Sequence, residues 1–383
     1  MHKEETMKRS HERLLTTHTG SLARPPELLH MLLAREEGQP VDASVFDATV
    51  RRAVAETVQR QVEIGLDVVN DGEQSKISFA TYVRERLHGF HGADEPRPAS
   101  LEAREFPEYA ARRAFPYRRP ACNAPIAWKD FAAVETDIAN LKAATAGLAV
   151  EEVFMPAVSP GTLANFFPNR YYPTREAYLE AIAAVMQREY EAIVQAGFIL
   201  QLDCPDLALR STWFPDLSMP EFRTVVAQNI EALNHATRDI PAEHVRVHVC
   251  WGAGEAARNH DVPLRDIVDL LLKARPAALS IMGANGRHEH EWKVWREVPL
   301  PEGKVLIPGV IDSTTNIIEH PEVVADRLVR YANVLGRENI IAGVDCGFGT
   351  NARTDQVDAR IAWAKLRALV EGAELATRTL WGT

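Results

Sequence analysis

No uninterrupted apolar run in the sequence reaches the 18 or more residues of a membrane-spanning helix, which argues against a membrane partner. No extended basic run is present either. With 43 Lys and Arg against 53 Asp and Glu, the formal charge of −10 has the wrong sign for a surface that binds nucleic-acid phosphates. Cysteine is scarce: Cys122, Cys204, Cys250 and Cys346 in 383 residues do not make a disulfide framework, so thiols or metal ligands in a reducing compartment are expected. The charged opening "MHKEETMKRSHER" lacks the apolar segment of a signal peptide, and the expectation is a cytoplasmic protein. Internal repeats and low-complexity linkers are missing, as is a Gly-x-Gly-x-x-Gly turn after the first strand-like run, which argues against an open dinucleotide-binding sheet.

What is there is a repeated order of short β-rich run and longer helical pattern. Eight runs, at residues 14–21, 66–73, 153–161, 198–205, 245–252, 278–285, 304–312 and 340–347, each lead into a cluster of Gly, Asp, His, Cys or Ser. Most are continuous rather than alternating, as parallel strands covered on both faces would be. Amphipathic helices are predicted over 46–64, 176–196, 220–237, 319–335 and 356–378. The pattern predicts one α/β domain over 1–383, a TIM (β/α)8 barrel, with insertions at 22–45 and about 80–150 over its C-terminal face.

In such a barrel the strand ends carry the chemistry. The stretch "VRVHVCWGAG" puts His248 and Cys250 two positions apart, on one face of a strand, while Cys346 ends the eighth run in "VDCGFGT". Two thiolates and one imidazole suit zinc and leave a fourth position open.

His-x-Cys followed about a hundred residues later by Asp-Cys-Gly resembles the zinc site of the cobalamin-independent methionine synthase family, in its C-terminal catalytic barrel and single-barrel relatives, which include epoxyalkane:coenzyme M transferases. "TTHTGSLARPPEL", "NDGE", "QLDCPDLA", "PGVIDSTTN" and "VDCGFGT" follow in the family's order. The resemblance implies a Zn2+ cofactor held by His248, Cys250 and Cys346, which keeps a substrate thiol as the nucleophilic thiolate. It implies that Gly20 and Ser21 hold an amino-acid carboxylate, that Glu73 and Asp203 meet its amine, and that Phe166 stands where the family stacks a folate ring on tryptophan. The activity implied is alkyl transfer to a small-molecule thiol, foremost methyl transfer to homocysteine.

Two departures matter. The family's glutamate zinc ligand corresponds here to Met282, and Cys204, Glu289, Glu73 or solvent could take its place. Its proton-donating histidine corresponds to Thr314; where the electrophile is an epoxide, "RHEHEW" is expected to supply the acid for the departing alkoxide through His288 or His290. The change also brings forward thiolate opening of an epoxide, and, from another class, a degenerate barrel that only binds ligand. Arg112, Arg113, Arg118 and Arg119 offer cations for an anionic tail, and the 80–150 insertion offers a surface on which a homo-oligomer would form.

Overall fold

A computed structural model describes residues 7–92, 94–112, 119–354 and 356–382. Among them a six-stranded sheet runs through Val68–Val69, Glu152–Val158, Ile199–Asp203, Val245–Val249, Ala278–Ile281 and Val305–Pro308 in chain order, every pair parallel. The first and last expected runs lie between its two edges. Thr16 bridges Ala342, Leu306 bridges Ile340 and Gly309 bridges Gly343, all in parallel sense. On the other side the Val68 amide donates to the Thr16 carbonyl at 3.0 Å. The fold is thus α/β, with a curled parallel sheet of the TIM-like kind. The runs at 14–21 and 340–347 are reduced to single bridges, and that at 66–73 to two strand residues, because their remaining residues turn into the loops above the sheet.

The interior of the curl is layered. At the entry ends of the strands, Leu15, Val68, Phe154, Ile199, Val305 and Ile341, from six different runs, belong to one apolar cluster that Met7 joins. Higher up, alternation along "ILQLD" and "VRVHV" brings Gln201, Asp203, Arg246 and His248 inward and leaves the leucines and valines to the helices. The continuous-run expectation therefore missed a period-two signal in these two strands.

The expected helices form close to their predicted bounds, as Ala43–Glu63, Arg175–Gln195, Met219–Ala236, Pro321–Leu335 and Ala359–Trp381. Their starts are set chemically: Asp42 accepts from the Ser44 and Val45 amides, Thr174 from Ala177, and Ser218 forms a reciprocal cap with Glu221. Part of the expected 80–150 insertion is regular, since Ala132–Thr145 is a helix packed beside Ala43–Glu63. Its other described elements are the short helices Val83–Arg86, Leu101–Glu105 and Pro107–Arg112 and two small antiparallel pairs, Leu87–His88 with Ala127–Trp128 and Asp94–Glu95 with Arg119–Pro120. A buried Arg86–Asp137 ion pair at 2.6 Å and a Tyr82 hydroxyl donating to Glu189 at 2.9 Å fasten this part to the helices. Among the described residues no helix is long and apolar enough to cross a membrane.

Candidate functional site

His248 is the fourth residue of its strand and Cys250 follows the strand end, so the two-residue period that spaces them also aims them together. Cys346 arrives from the far side of the sheet, and its Sγ lies 3.5 Å from Cys250 Sγ. The loop carrying it is fixed by its neighbour Asp345, whose buried carboxylate accepts the amides of Gly283, Ala284 and Asn285 at 2.7–2.8 Å. Among the described residues, His248, Cys250 and Cys346 are the group of His, Cys, Asp or Glu side chains whose ligand atoms converge, all within 4.8 Å of one another.

These residues fit a metal ion. His248 Nδ1 is engaged by Ser280 Oγ at 3.1 Å, whereas Nε2 is buried with no hydrogen-bond partner. An unpaired buried nitrogen is costly unless something occupies its lone pair. Two sulfurs on one tetrahedral zinc with bonds of about 2.3 Å would stand roughly 3.8 Å apart, near the spacing observed. The two thiols share a hydrogen bond, which draws Cys250 well below the ordinary thiol range against the effect of burial and raises Cys346. Ser280 orients the histidine, so Ser280→Ala is expected to weaken zinc binding roughly 10- to 100-fold, read by competition with a chromophoric chelator. An unchanged affinity would deny the serine that role.

The trio opens onto a cavity of about 350 Å³ that Ser21, Glu73, Phe166 and Asp203 also line. That volume is near the lower end of ligand pockets, which run from about 300 to 1,000 Å³. Glu73 adopts a left-handed backbone with φ of 55°, after Gly72 at 66°, and this turn sends its carboxyl into the cavity. Gly20 stands against it: a Cβ there would lie 3.1 Å from Glu73 Oε1. Likewise any side chain at Gly347 would collide with the Ser21 hydroxyl. Glu73 Oε2 is buried and unpartnered. Burial pushes the Glu73 carboxyl up to about 8, with Lys76 opposing and Asp203 adding to the rise. Asp203 is raised to about 6, again chiefly by burial, with His248 opposing. Near neutral pH Glu73 would keep its proton unless a cation joins it, and Asp203 beside it is largely ionised, so the pair suits an ammonium group.

Beneath them lies Arg246, buried and stacked 3.6 Å over the Phe154 ring, its pKa lowered to about 9 by desolvation. Sequence reasoning missed it, although a charge at an inward position of a strand was a visible signal. Trp251, Trp213 and Phe79 were missed too, for no local pattern marks a cavity wall. Phe166 meets Phe79 and Trp213 edge-on at 5.6 and 5.5 Å, so the aromatic wall is composite.

Several expected residues lie elsewhere. His288 is not in the cavity: its Nδ1 is taken by Glu291 at 2.8 Å and its Nε2 by Asp261 at 3.0 Å, with the ring stacked on Trp251. His290 is exposed and does not line the cavity. Cys204 has the opposite strand parity from Asp203, and its thiol donates back to the Leu202 carbonyl at 3.4 Å, so it is not among the converging ligands. Glu289 pairs with Arg327 at 3.2 Å. Met282 is buried in the apolar core, and Thr314 donates its hydroxyl to Asp312 at 2.7 Å. Arg112 is exposed, Arg119 donates to the carbonyls of Pro96 and Asn165, and Arg113 and Arg118 lie outside the described residues. A groove of about 910 Å³ near Arg9, Lys304 and Asn339 is larger, but it sits at the entry ends of the strands and contains no histidine or cysteine.

No protein-family model matches the chain. A methionine synthase of Thermococcus kodakarensis is 25% identical over 368 residues, covering 96% of this chain and 94% of that protein. One of Sulfurisphaera tokodaii is 26% identical over 372 residues, again covering 96% and 94%. The 5-methyltetrahydropteroyltriglutamate–homocysteine methyltransferase of Lactococcus lactis subsp. cremoris, 24% identical, matches 90% of this chain but 41% of its own length. A solved B12-independent methionine synthase from Shewanella sp. W3-18-1, in complex with selenomethionine, has the same fold: TM-score 0.74, 22% identity, covering 97% of this chain and 100% of that one. Along nearly its whole length the chain is thus similar in sequence to methionine synthases, in line with the family resemblance read from its motifs.

Proposed function

We propose that the chain is a zinc-dependent methyltransferase that moves a methyl group from a reduced-folate donor to homocysteine, giving methionine. The observation that carries this reading is a single one: His248 Nε2, Cys250 Sγ and Cys346 Sγ converge on a cavity that also holds the buried carboxyls of Glu73 and Asp203. The names of the relatives add the substrates. His248, Cys250 and Cys346 would hold zinc, which when bound keeps a thiol deprotonated near neutral pH without abolishing its nucleophilicity. Glu73 and Asp203 would take the ammonium group of the amino acid, and Ser21, in the space left by Gly20 and Gly347, its carboxylate. The aromatic wall of Phe79, Phe166 and Trp213 would exclude water and face the donor. In the transfer the methyl carbon leaves the donor nitrogen for sulfur, and the proton lost by the thiol balances the charge on that nitrogen. Neither His288 nor His290 is placed to deliver it.

The reading includes an eight-stranded closure, with 14–17 and 340–343 as the strands that fill the gap, one domain, and a cytoplasmic setting that keeps the thiols reduced. Epoxide opening with coenzyme M fits less well, because an anionic thiol without an amine would face two buried carboxyls. The test is product formation by the zinc-loaded chain, with homocysteine and 5-methyltetrahydropteroylglutamate in one arm and coenzyme M and epoxypropane in the other. Methionine in the first arm alone is expected. Product in the second arm alone would replace the reading, and zinc binding without turnover in either would leave a ligand-binding barrel.

A further inference from the structure

Asp203 is not free to turn. Its Oδ1 accepts from Gln201 Nε2 at 2.8 Å, and the same amide nitrogen donates to the Thr19 carbonyl. Gln201 cannot flip, because its Oε1 accepts from Arg246 Nε at 2.8 Å and a guanidinium has only donors. The remaining nitrogens of Arg246 donate to Thr17 Oγ1 at 3.1 Å and to the His18 carbonyl at 3.0 Å. One buried guanidinium therefore ties the segment that carries Thr19, Gly20 and Ser21 to the strand that carries Asp203. Arg246 itself does not line the cavity.

We infer that Arg246, acting through Gln201, is a positioning residue that sets the distance between the carboxylate side and the amine side of the pocket and so selects thiols bearing an α-amino-acid head group. The inference rests on the reading that homocysteine is the thiol substrate. A rigid fork with donors on three sides is the property required, and lysine, with one flexible point of charge, does not supply it. Misplacing a binding group by about 1 Å costs on the order of 100-fold when the geometry is demanding.

The test compares homocysteine with 2-mercaptoethanol as acceptors, in the zinc-loaded wild type and in Arg246→Met, Gln201→Leu and Gln201→Glu. In each variant KM for homocysteine is expected to rise roughly 10- to 100-fold, with zinc content at the wild-type level and the rate on 2-mercaptoethanol changed less than about threefold. A merely structural role would lower both rates together, and that result overturns the inference. If Arg246→Met does not fold, the two Gln201 variants decide: Gln201→Leu removes the links to Arg246, Asp203 and Thr19 together, and Gln201→Glu keeps the acceptor for Arg246 while losing the amide donor to Asp203 and Thr19. Wild-type selectivity for homocysteine that survives in them sinks the inference alone. A wild type that shows no such selectivity sinks the amino-acid reading of the pocket and the inference with it.

Discussion

Cys346→Ala is expected to abolish stoichiometric zinc and to lower methyl transfer to homocysteine by roughly 1,000-fold or more, about 4 kcal/mol of transition-state stabilisation. The reasoning is geometric. Cys346 lies 96 residues from Cys250 in the chain yet 3.5 Å away in space, and its loop is fixed by the three amides that Asp345 accepts. Removing one sulfur leaves His248 and Cys250, too few protein ligands to hold a catalytic zinc. It also removes the hydrogen-bond partner that draws the Cys250 thiol downward. The fold itself should survive, since the lost side chain is small and borders a cavity. Far-ultraviolet circular dichroism with metal analysis separates the two effects. A Cys346→Ala protein that retains one zinc and near-normal turnover would show that the sulfur pair is merely packed.

Glu73→Gln is expected to raise KM for homocysteine about 10- to 150-fold, the range of one charge-assisted hydrogen bond of roughly 1.5–3 kcal/mol. The pH dependence carries a sign that can be checked. In the free protein burial holds Glu73 near 8 and Asp203 near 6, so both must release protons before they can pair with an ammonium group. Wild-type KM for homocysteine should therefore fall as pH rises from about 6 to about 8, and Glu73→Gln should flatten the upper part of that profile. Stability runs the other way. With a folded-state pKa above its unfolded value, Glu73 favours folding below the ordinary carboxyl range, and that contribution is lost as pH rises toward 8. Metal-free Glu73→Gln should accordingly be more stable than metal-free wild type at pH 8, a cost that function imposes on the native residue. Equal melting temperatures across the range, or a KM independent of pH in the wild type, would contradict the unpaired-carboxyl description.

Much of this arrangement was legible in the sequence because two simple periods govern it. The period of two along a strand linked His248 to Cys250, and the β-then-α order brought Cys346 to them through a curled sheet. The same period, applied to "QLDC", would have turned Cys204 away from Asp203, and applied to "VRVHV" it would have shown Arg246 inside. Those signals were present but masked by the expectation of uniformly apolar strands. What was not legible is non-local. Nothing within "RHEHEW" tells that Asp261, 27 residues earlier, captures His288. The short strands at 14–21 and 340–347 likewise depend on partners far away in the chain, and their polar ends fold into the site rather than extend the ladder. The helices, by contrast, start at caps that lie within a few residues of them, and their bounds were predicted to within a few positions.

X-ray absorption at the zinc edge of the metal-loaded protein tests the central claim most directly. The account predicts two sulfur neighbours at about 2.3 Å and lighter nitrogen or oxygen neighbours at about 2.0 Å, with the sulfur count rising to three when homocysteine is added. A shell of nitrogen and oxygen alone, or a sulfur count that homocysteine leaves at two, would contradict it.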